Sequence, residues 1–421
     1  MKFQIKLVII SIYFLAFSNL ILDFLGLREA IGSYLMLGVD IIVFYVGLVN
    51  LKKNKVNLFF ILAAISICSI NYLFHDYDVL TFVNGLREIL LVFLVFSFYE
   101  SLTFSKHIIL MEKYIQKFIF IFLIIQIPVT LYQFVIFGAG DQVGGTMGNG
   151  NSGVLTLTTI LMVYVRIKYL RTTIGIKAYY NALFLLPLFV NETKISFILI
   201  PLMFLCLSNI KKISTIIPSL LGGLLIFLLL NSLYTNQGRK SENPFSEMFN
   251  SDFLENYLFK DDIPEGSDIP RFTKIFISIS FLNRDPIDFL FGKEVGAFKG
   301  GTTLSRSNFA TQYNWLLLGS RPYIFFLLIT GGWLLLSLTI SFFAYKFWAT
   351  RGKHWDGQFI LLVIAFLIIV LFYNDAYRNQ FFCYMYVYFV MLAKGRWLVR
   401  KSKVRRSVIN RKYGIVLSSS K

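Results

Sequence analysis

The stretch FIFIFLIIQIPVTLYQFVIF occupies residues 118–137 and holds no charged side chain. A helix of about 20 mainly apolar residues is long enough to cross the hydrocarbon core of a bilayer. Twelve such stretches follow one another along the chain, the seventh and eighth being short and separated by the polar residues 191–194. The predicted spans are 7–25, 31–49, 56–74, 79–99, 117–138, 153–168, 178–190, 195–209, 213–234, 322–345, 358–373 and 380–395. These spans predict an all-α polytopic membrane protein.

The composition of the whole chain agrees with this interpretation. Of the 421 residues, 56% are hydrophobic and only 15% are charged, against about 25% charged in an average soluble domain. A chain of this size cannot cover so much apolar surface with polar groups in water. A soluble enzyme, a disordered protein and a disulfide scaffold are therefore excluded. The three cysteines lie in apolar runs and predict no disulfide, and the first apolar run lacks a small-residue cleavage site, which predicts an uncleaved helix.

The positive charge is distributed unevenly between the connections. If the N-terminus is cytoplasmic, the connections on that side and the C-terminal tail hold 27 of the 41 Lys and Arg residues, whereas the short outer connections hold only Arg28, Lys194 and Arg378. Cytoplasmic loops of membrane proteins carry such an excess of Lys and Arg. We therefore expect a multi-pass protein of a bacterial inner membrane with both termini in the cytoplasm.

The spans divide the chain into four regions. Residues 1–234 form the first nine spans, 235–321 a large outer loop, 322–395 the last three spans and 396–421 a basic cytoplasmic tail. Amphipathic helices are expected near 246–259 and 271–283, and a loop this long is usually functional. The basic tail is expected to bind anionic lipid headgroups, and no nucleic-acid partner is expected.

Motifs for metal or triad chemistry are missing from the sequence. There is no HExxH, CxxC, Walker A or GxSxG motif, and the three histidines lie outside the large loop. We expect no metal and no cofactor. A metal held by Asp261, Asp262 and Glu265 is the alternative to a solvated acidic turn, which is the favoured interpretation.

Ionisable residues inside or beside the spans are the first candidates for function. Arg87 and Glu88 lie within the fourth span, where an unpaired charge costs about 3 kcal/mol on insertion scales. They form either a mutual structural pair or, because neighbours on a helix point in different directions, pairs with other residues. Asp40 in the second span has no evident partner.

Three further cations are predicted at the outer membrane boundary. Lys194 lies in the hairpin between the seventh and eighth spans, where it either binds substrate or reaches towards lipid headgroups. Arg271 begins an amphipathic stretch of the large loop, and Arg321 precedes the tenth span. Such a set suits a phosphate or pyrophosphate, because the planar guanidinium group can bind two phosphate oxygens at once.

A glycine-rich outer turn, GGTMGNGNSG at residues 144–153, precedes the sixth span. Its glycines permit close approach of the backbone, and Asn149 and Asn151 offer hydrogen bonds in both directions. The turn is either a substrate-binding element or a flexible loop.

Four local patterns resemble the O-antigen polymerase (Wzy-type) family, which shares a superfamily with the O-antigen ligases. They are GTMGNGN at 145–151, ETKIS at 192–196, Arg271 followed by DPIDFLFGKEVG at 285–296, and Tyr313-Asn314 followed by Arg321, ten residues and Gly332. The patterns cover residues 140–335, and the topology covers the whole chain. The sequence departs from the ligases at Tyr313, where they carry His, and from many relatives at Lys194, where they carry Arg.

The resemblance implies a GT-C-like fold and a glycosyltransferase that uses no cofactor. Its donor would be a glycan on undecaprenyl pyrophosphate, its acceptor a lipid-linked repeat unit, and its neighbours a flippase and a chain-length regulator. By this resemblance Arg271 and Arg321 bind pyrophosphate, with Lys194 and Arg87 in support. Tyr313 and Asn314 position the acceptor, with Asn149 and Asn151 as further substrate-binding residues. No general base is evident in the sequence, and Glu192 is the candidate. The alternatives are a ligase-like transferase and a flippase or transporter of lipid-linked oligosaccharide.

Overall fold

The computed structural model describes residues 1–26, 28–52, 54–103, 107–138, 142–148, 150–169, 183–191, 195–207, 269–298, 307–348 and 356–393. All regular structure in these residues is helical. The helices are α1 (Lys2–Phe24), α2 (Arg28–Leu51), α3 (Lys55–Phe74), α4 (Val79–Thr103), α5 (Ile108–Phe137), α6 (Ser152–Tyr169), α7 (Leu186–Val190), α8 (Ser196–Leu207), α9 (Arg271–Leu282), α10 (Pro286–Phe291), α11 (Asn308–Gln312), α12 (Tyr323–Trp348), α13 (Gly357–Tyr373) and α14 (Gln380–Ala393). Three 3₁₀ turns cover Gly145–Met147, Asn314–Leu317 and Ala376–Arg378.

The long apolar helices make this a helical protein of the polytopic membrane type. Among the described residues, six helices are long and apolar enough to cross a membrane, namely α1 to α5 and α12. The shorter α8, α13 and α14 are also apolar. The ninth predicted span, 213–234, and the predicted helix at 246–259 lie outside the described residues, so the count of twelve stays a prediction. The expected amphipathic helix at 271–283 is confirmed as α9.

Polar contacts show that successive helices run in opposite directions. The start of α1 meets the end of α2, where Asn50 Nδ2 donates to Gln4 Oε1 over 3.3 Å. The same end of the bundle holds the last turn of α12, where Lys346 Nζ donates to Glu100 Oε2 of α4 over 2.8 Å. We call this end the basic end. The opposite end, which holds residues 75–79, 142–152, 269–298, 307–323 and 373–380, is called the loop end.

Helix α14 lies in the centre of the molecule. Every residue from Phe381 to Ala393, where the described part of this helix ends, is buried. Protein rather than lipid therefore surrounds the described part of the helix. Its first residue, Gln380, is the last residue of the 373–380 turn.

A glycine contact joins the large loop to α12. Gly332 has a φ of 63° inside α12 and kinks that helix, while Gly292, at the end of α10, has a φ of 81°. The kink leaves the carbonyl of Ile329 free to accept hydrogen bonds from the backbone N–H groups of Lys293 (2.8 Å) and Glu294 (3.3 Å). The segment 286–298 is thereby fixed against the outer part of α12.

Candidate functional site

The turn at residues 373–380 joins α13 to α14 at the loop end. Asn374 directly follows α13, and its Oδ1 accepts from the N–H of Ala376, the first residue of the 3₁₀ turn. Asn379 directly precedes α14, and its Oδ1 accepts from Phe382 N over 3.1 Å. The remaining polar groups of the turn face other elements. Through them the turn contacts the elements that carry Arg87, Arg271 and Arg321.

Arg271 lies directly against this turn. Its Nε donates to the carbonyl of Tyr373 over 3.1 Å, and its Nη2 donates to Ser320 Oγ over 2.9 Å. The guanidinium carbon is 4.0 Å from the centre of the Tyr373 ring, a cation–π geometry. Arg271 therefore joins α9, the residue before Arg321 and the 373–380 turn.

Arg321 and Arg378 share the carboxylate of Asp375. Arg378 Nη1 donates to Asp375 Oδ2 over 2.7 Å and Arg378 Nε donates to Glu88 Oε2 over 2.9 Å, whereas Arg321 Nε is 3.6 Å from Asp375 Oδ2. Both guanidinium groups face the ring of Phe298, at 5.7 Å for Arg321 and 5.1 Å for Arg378.

The two arginines differ in how well their charges are balanced. Burial lowers the pKa of the Arg321 guanidinium and the nearby Arg378 acts in the same direction, while Asp375 opposes them. Burial also acts to lower the pKa of Arg378, but Glu88 and Asp375 outweigh it and raise that pKa above its usual value. Among the described residues, Arg378 thus donates hydrogen bonds to two carboxylates, whereas Arg321 has one carboxylate at 3.6 Å.

No residue that the structure describes accepts a hydrogen bond from the Arg321 guanidinium, and its Nε only faces Asp375 Oδ2 at 3.6 Å. Buried donors are nearly always hydrogen-bonded in folded proteins. The side chain keeps 29% of its surface exposed, so a ligand can reach it. This arrangement suits an anion that supplies the missing acceptor oxygens.

Arg87 and Glu88 pair with different residues, as their neighbouring positions on a helix suggested. Arg87 Nη1 is 2.7 Å from Asp40 Oδ2, and Gln380 Nε2 donates to Asp40 Oδ1. Asp40, for which the sequence offered no partner, is therefore held by α4 and by the 373–380 turn. Glu88 belongs to the Arg378 pair described above.

Residues 144–148 of the glycine-rich turn are buried rather than exposed. Gln126 Oε1 accepts from Thr146 N over 3.0 Å, and Gln133 Oε1 accepts from Gly145 N over 2.7 Å. Asn151 Nδ2 donates to the Met147 carbonyl over 2.8 Å, which fixes the turn before α6. Asn149 lies outside the described residues.

The start of α6 connects the glycine-rich turn to the site. A Cβ atom on Gly153 would lie 2.7 Å from Asn374 Nδ2, so the helix reaches the 373–380 turn. Asn191 Nδ2 donates to Thr156 Oγ1 over 2.8 Å, which places the beginning of the predicted hairpin beside α6. Glu192 and Lys194 themselves lie outside the described residues.

Tyr313 and Asn314 lie apart from the arginines and carboxylates that surround the 373–380 turn. The Tyr313 ring packs 5.1 Å from that of Phe281 and 4.9 Å from that of Phe309, so its contacts are with α9 and α11. Asn314 is exposed and begins a 3₁₀ turn. Lys274 holds the segment between Asn314 and Arg321 in place, because its Nζ donates to the carbonyl of Ser320 over 3.0 Å.

In the part of the chain that the structure describes, no group of three His, Cys, Asp or Glu residues could hold a metal ion. The predicted alternative at Asp261, Asp262 and Glu265 lies outside those residues. Comparison with family models, curated proteins and solved structures gives no significant match. The function is therefore argued from the geometry of the site and from the resemblance of the motifs.

Three residues of the cluster were missed by sequence reasoning, namely Asp375, Arg378 and Gln380. The signal was present, because YNDAYRNQ at 373–380 is a polar run between two apolar helices. By its length and hydropathy, this run predicts only a short outer connection with one arginine. Polar side chains that crowd such a short connection indicate contacts inside the protein as well as with water.

Proposed function

We propose that this protein is a polysaccharide polymerase that joins repeat units carried on undecaprenyl pyrophosphate, by glycosyl transfer at the outer face of a bacterial inner membrane. The observation that carries the proposal is the Arg321 guanidinium, which is partly exposed at the loop end and lacks hydrogen-bond acceptors among the described residues. A lipid-linked pyrophosphate supplies those acceptors.

The surrounding charges support this choice of ligand. The cluster combines five cations with three carboxylates, so it keeps a net positive charge before substrate binds. These residues are Arg87, Arg271, Lys274, Arg321, Arg378, Asp40, Glu88 and Asp375. Preorganised donors aimed at a group that gains negative charge lower the barrier of the step that produces it. The departing pyrophosphate is such a group.

The proposal assigns roles to individual residues. Arg321 binds the pyrophosphate and Arg271, 2.9 Å from Ser320, supports it. Arg87 acts through its pair with Asp40, and Lys194 and Glu192 of the predicted hairpin keep the supporting roles that the resemblance implies. Twelve crossings, cytoplasmic termini and an outer loop end complete the proposed arrangement, since a polymerase of this kind needs its site on the face where lipid-linked units arrive.

The test is the surface glycan of a host strain in which the gene is deleted and then complemented. We expect Arg321→Ala and Arg271→Ala to insert normally and to leave single repeat units in place of a ladder. Arg284→Ala is the matched control, because Arg284 is exposed on the same face and only stacks on Phe281 at 5.2 Å. Wild-type ladders from both site variants would refute the assignment.

The same gel separates the alternatives. Lipid-linked units trapped on the cytoplasmic side of the deletion strain would indicate a flippase. Complete chains that stay on the lipid carrier and never reach a final acceptor would indicate a ligase-like transferase. Accumulation of single repeats on the outer face is the result expected of a polymerase.

A further inference from the structure

The three carboxylates of the cluster differ in how much of each is open to a substrate. Asp40 is 6% exposed and Glu88 10% exposed, and both pair with arginines. Asp375 is 25% exposed and belongs to the 373–380 turn rather than to a long helix. Among these three carboxylates, it is the one a ligand can approach most easily.

Only one oxygen of Asp375 is occupied. Oδ2 accepts from Arg378 Nη1 over 2.7 Å and faces Arg321 Nε at 3.6 Å. Oδ1 accepts no hydrogen bond from any residue that the structure describes. An ionised carboxylate can accept hydrogen bonds on both oxygens, so Oδ1 is available to a hydroxyl group.

The orientation of Arg321 separates the proposed anion site from Asp375. The Nε edge of the guanidinium faces Asp375, which leaves both terminal nitrogens for the pyrophosphate. In the proposed arrangement the donor pyrophosphate binds at those terminal nitrogens, and the acceptor hydroxyl binds at Asp375 Oδ1.

We propose that Asp375 is the general base that activates the acceptor hydroxyl, an inference that rests on the proposed glycosyl transfer. The hydroxyl oxygen forms a bond to the anomeric carbon of the donor. The bond from that carbon to the pyrophosphate oxygen breaks, and its electron pair leaves with undecaprenyl pyrophosphate. The hydroxyl proton passes to Asp375 Oδ1 and from there to water. Asp375 thereby replaces Glu192 as the candidate general base.

The experiment uses the full chain in lipid nanodiscs with lipid-linked repeat units extracted from the deletion strain. Asp375→Asn keeps an oxygen for Arg378 and removes the base. We expect elongation to slow by about 100-fold or more, within the range for loss of a general base, while binding of undecaprenyl pyrophosphate is unchanged. The control is Asp76→Asn, which removes one exposed carboxylate from the same end and should elongate normally.

Two results would overturn the assignment. Elongation by Asp375→Asn within about tenfold of wild type is too fast for a protein that lacks its base. Weaker binding of undecaprenyl pyrophosphate in proportion to the lost rate would show that Asp375 merely positions Arg321. If the wild-type protein itself elongates nothing, the proposed function fails as well, so the two failures are distinguishable.

A nucleophile that needs no base provides a second measurement. Azide attacks the anomeric carbon without losing a proton. An Asp375→Ala protein that still binds undecaprenyl pyrophosphate should therefore release it when azide is added, with formation of a glycosyl azide. Failure of azide to restore release in such a protein would contradict the role of Asp375 as a base.

Discussion

Charged side chains at the loop end are distinguished by the partners they have. Arg378 is held by two carboxylates, and Arg87 by Asp40 at 2.7 Å. Arg321 has one carboxylate at 3.6 Å and no hydrogen bond among the described residues. Since all three carry the same chemical group, their surroundings decide which of them remains able to bind a substrate anion.

The pair of Asp40 and Arg87 is expected to stabilise the fold as a unit. Asp40→Ala leaves Arg87 buried without its counter-charge, which costs about 3–5 kcal/mol of folding free energy. We expect a lower midpoint of thermal unfolding for the protein purified in detergent. Replacing both residues at once, as Asp40→Leu with Arg87→Met, should recover most of that loss, because no charge is then left unpaired. Equal stability of Asp40→Ala and wild type would contradict this account of the pair.

At the level of elements, the contact of α10 with α12 depends on glycine. A Cβ atom on Gly332 would lie 2.5 Å from the Leu290 carbonyl oxygen, and one on Gly292 would lie 2.6 Å from Gly331 N. Both residues have a positive φ, of 63° and 81°, which disfavours any other residue. This contact of the large loop with α12 is therefore made by backbone rather than by side chains.

Gly332→Ala and Gly292→Ala are expected to loosen the segment 286–298. Each adds a methyl group where backbone already lies, and overpacking of this kind costs about 1–3 kcal/mol. The measurement is the thermal midpoint in detergent, together with protease sensitivity of the large loop. Gly38→Ala is the control, since its Cβ would meet nothing within 4 Å. Indistinguishable curves for all three variants would show that the contact is not tight.

For the molecule as a whole, the alternating helices separate two ends of different character. The basic end holds Gln4, Asn50, Glu100 and Lys346 in buried contacts. The loop end holds the arginine cluster and the described parts of the large loop. A site that binds a lipid-linked anion requires the loop end to face the side of the membrane where that lipid is presented.

Labelling of single cysteines tests this orientation. The native cysteines, Cys68, Cys206 and Cys383, are buried and give little background. We expect Asp76→Cys to react with a membrane-impermeant maleimide in intact cells, because Asp76 is exposed at the loop end. Lys52→Cys, exposed at the basic end, should react only after permeabilisation. The reverse pattern would place the proposed site in the cytoplasm.

The sequence by itself determined the helical membrane character and most helix positions. Hydropathy is local and additive along a chain, so runs such as 56–74 and 79–99 predict α3 and α4 within a few residues. It also showed that Asp40, Arg87 and Glu88 need partners, since charges inside a span are costly. Hydrophobic periodicity is also a local property of the chain, so the amphipathic helix beginning at Arg271 was predictable as well.

Only the tertiary structure decided which partners those charges have. Glu88 and Arg378 are 290 positions apart in the chain, and no local pattern encodes a contact over that separation. The same holds for the burial of the glycine-rich turn, which depends on Gln126 and Gln133 of a neighbouring helix. The 373–380 turn acquires its importance because packing brings five distant elements to it, and packing is a property of the folded chain.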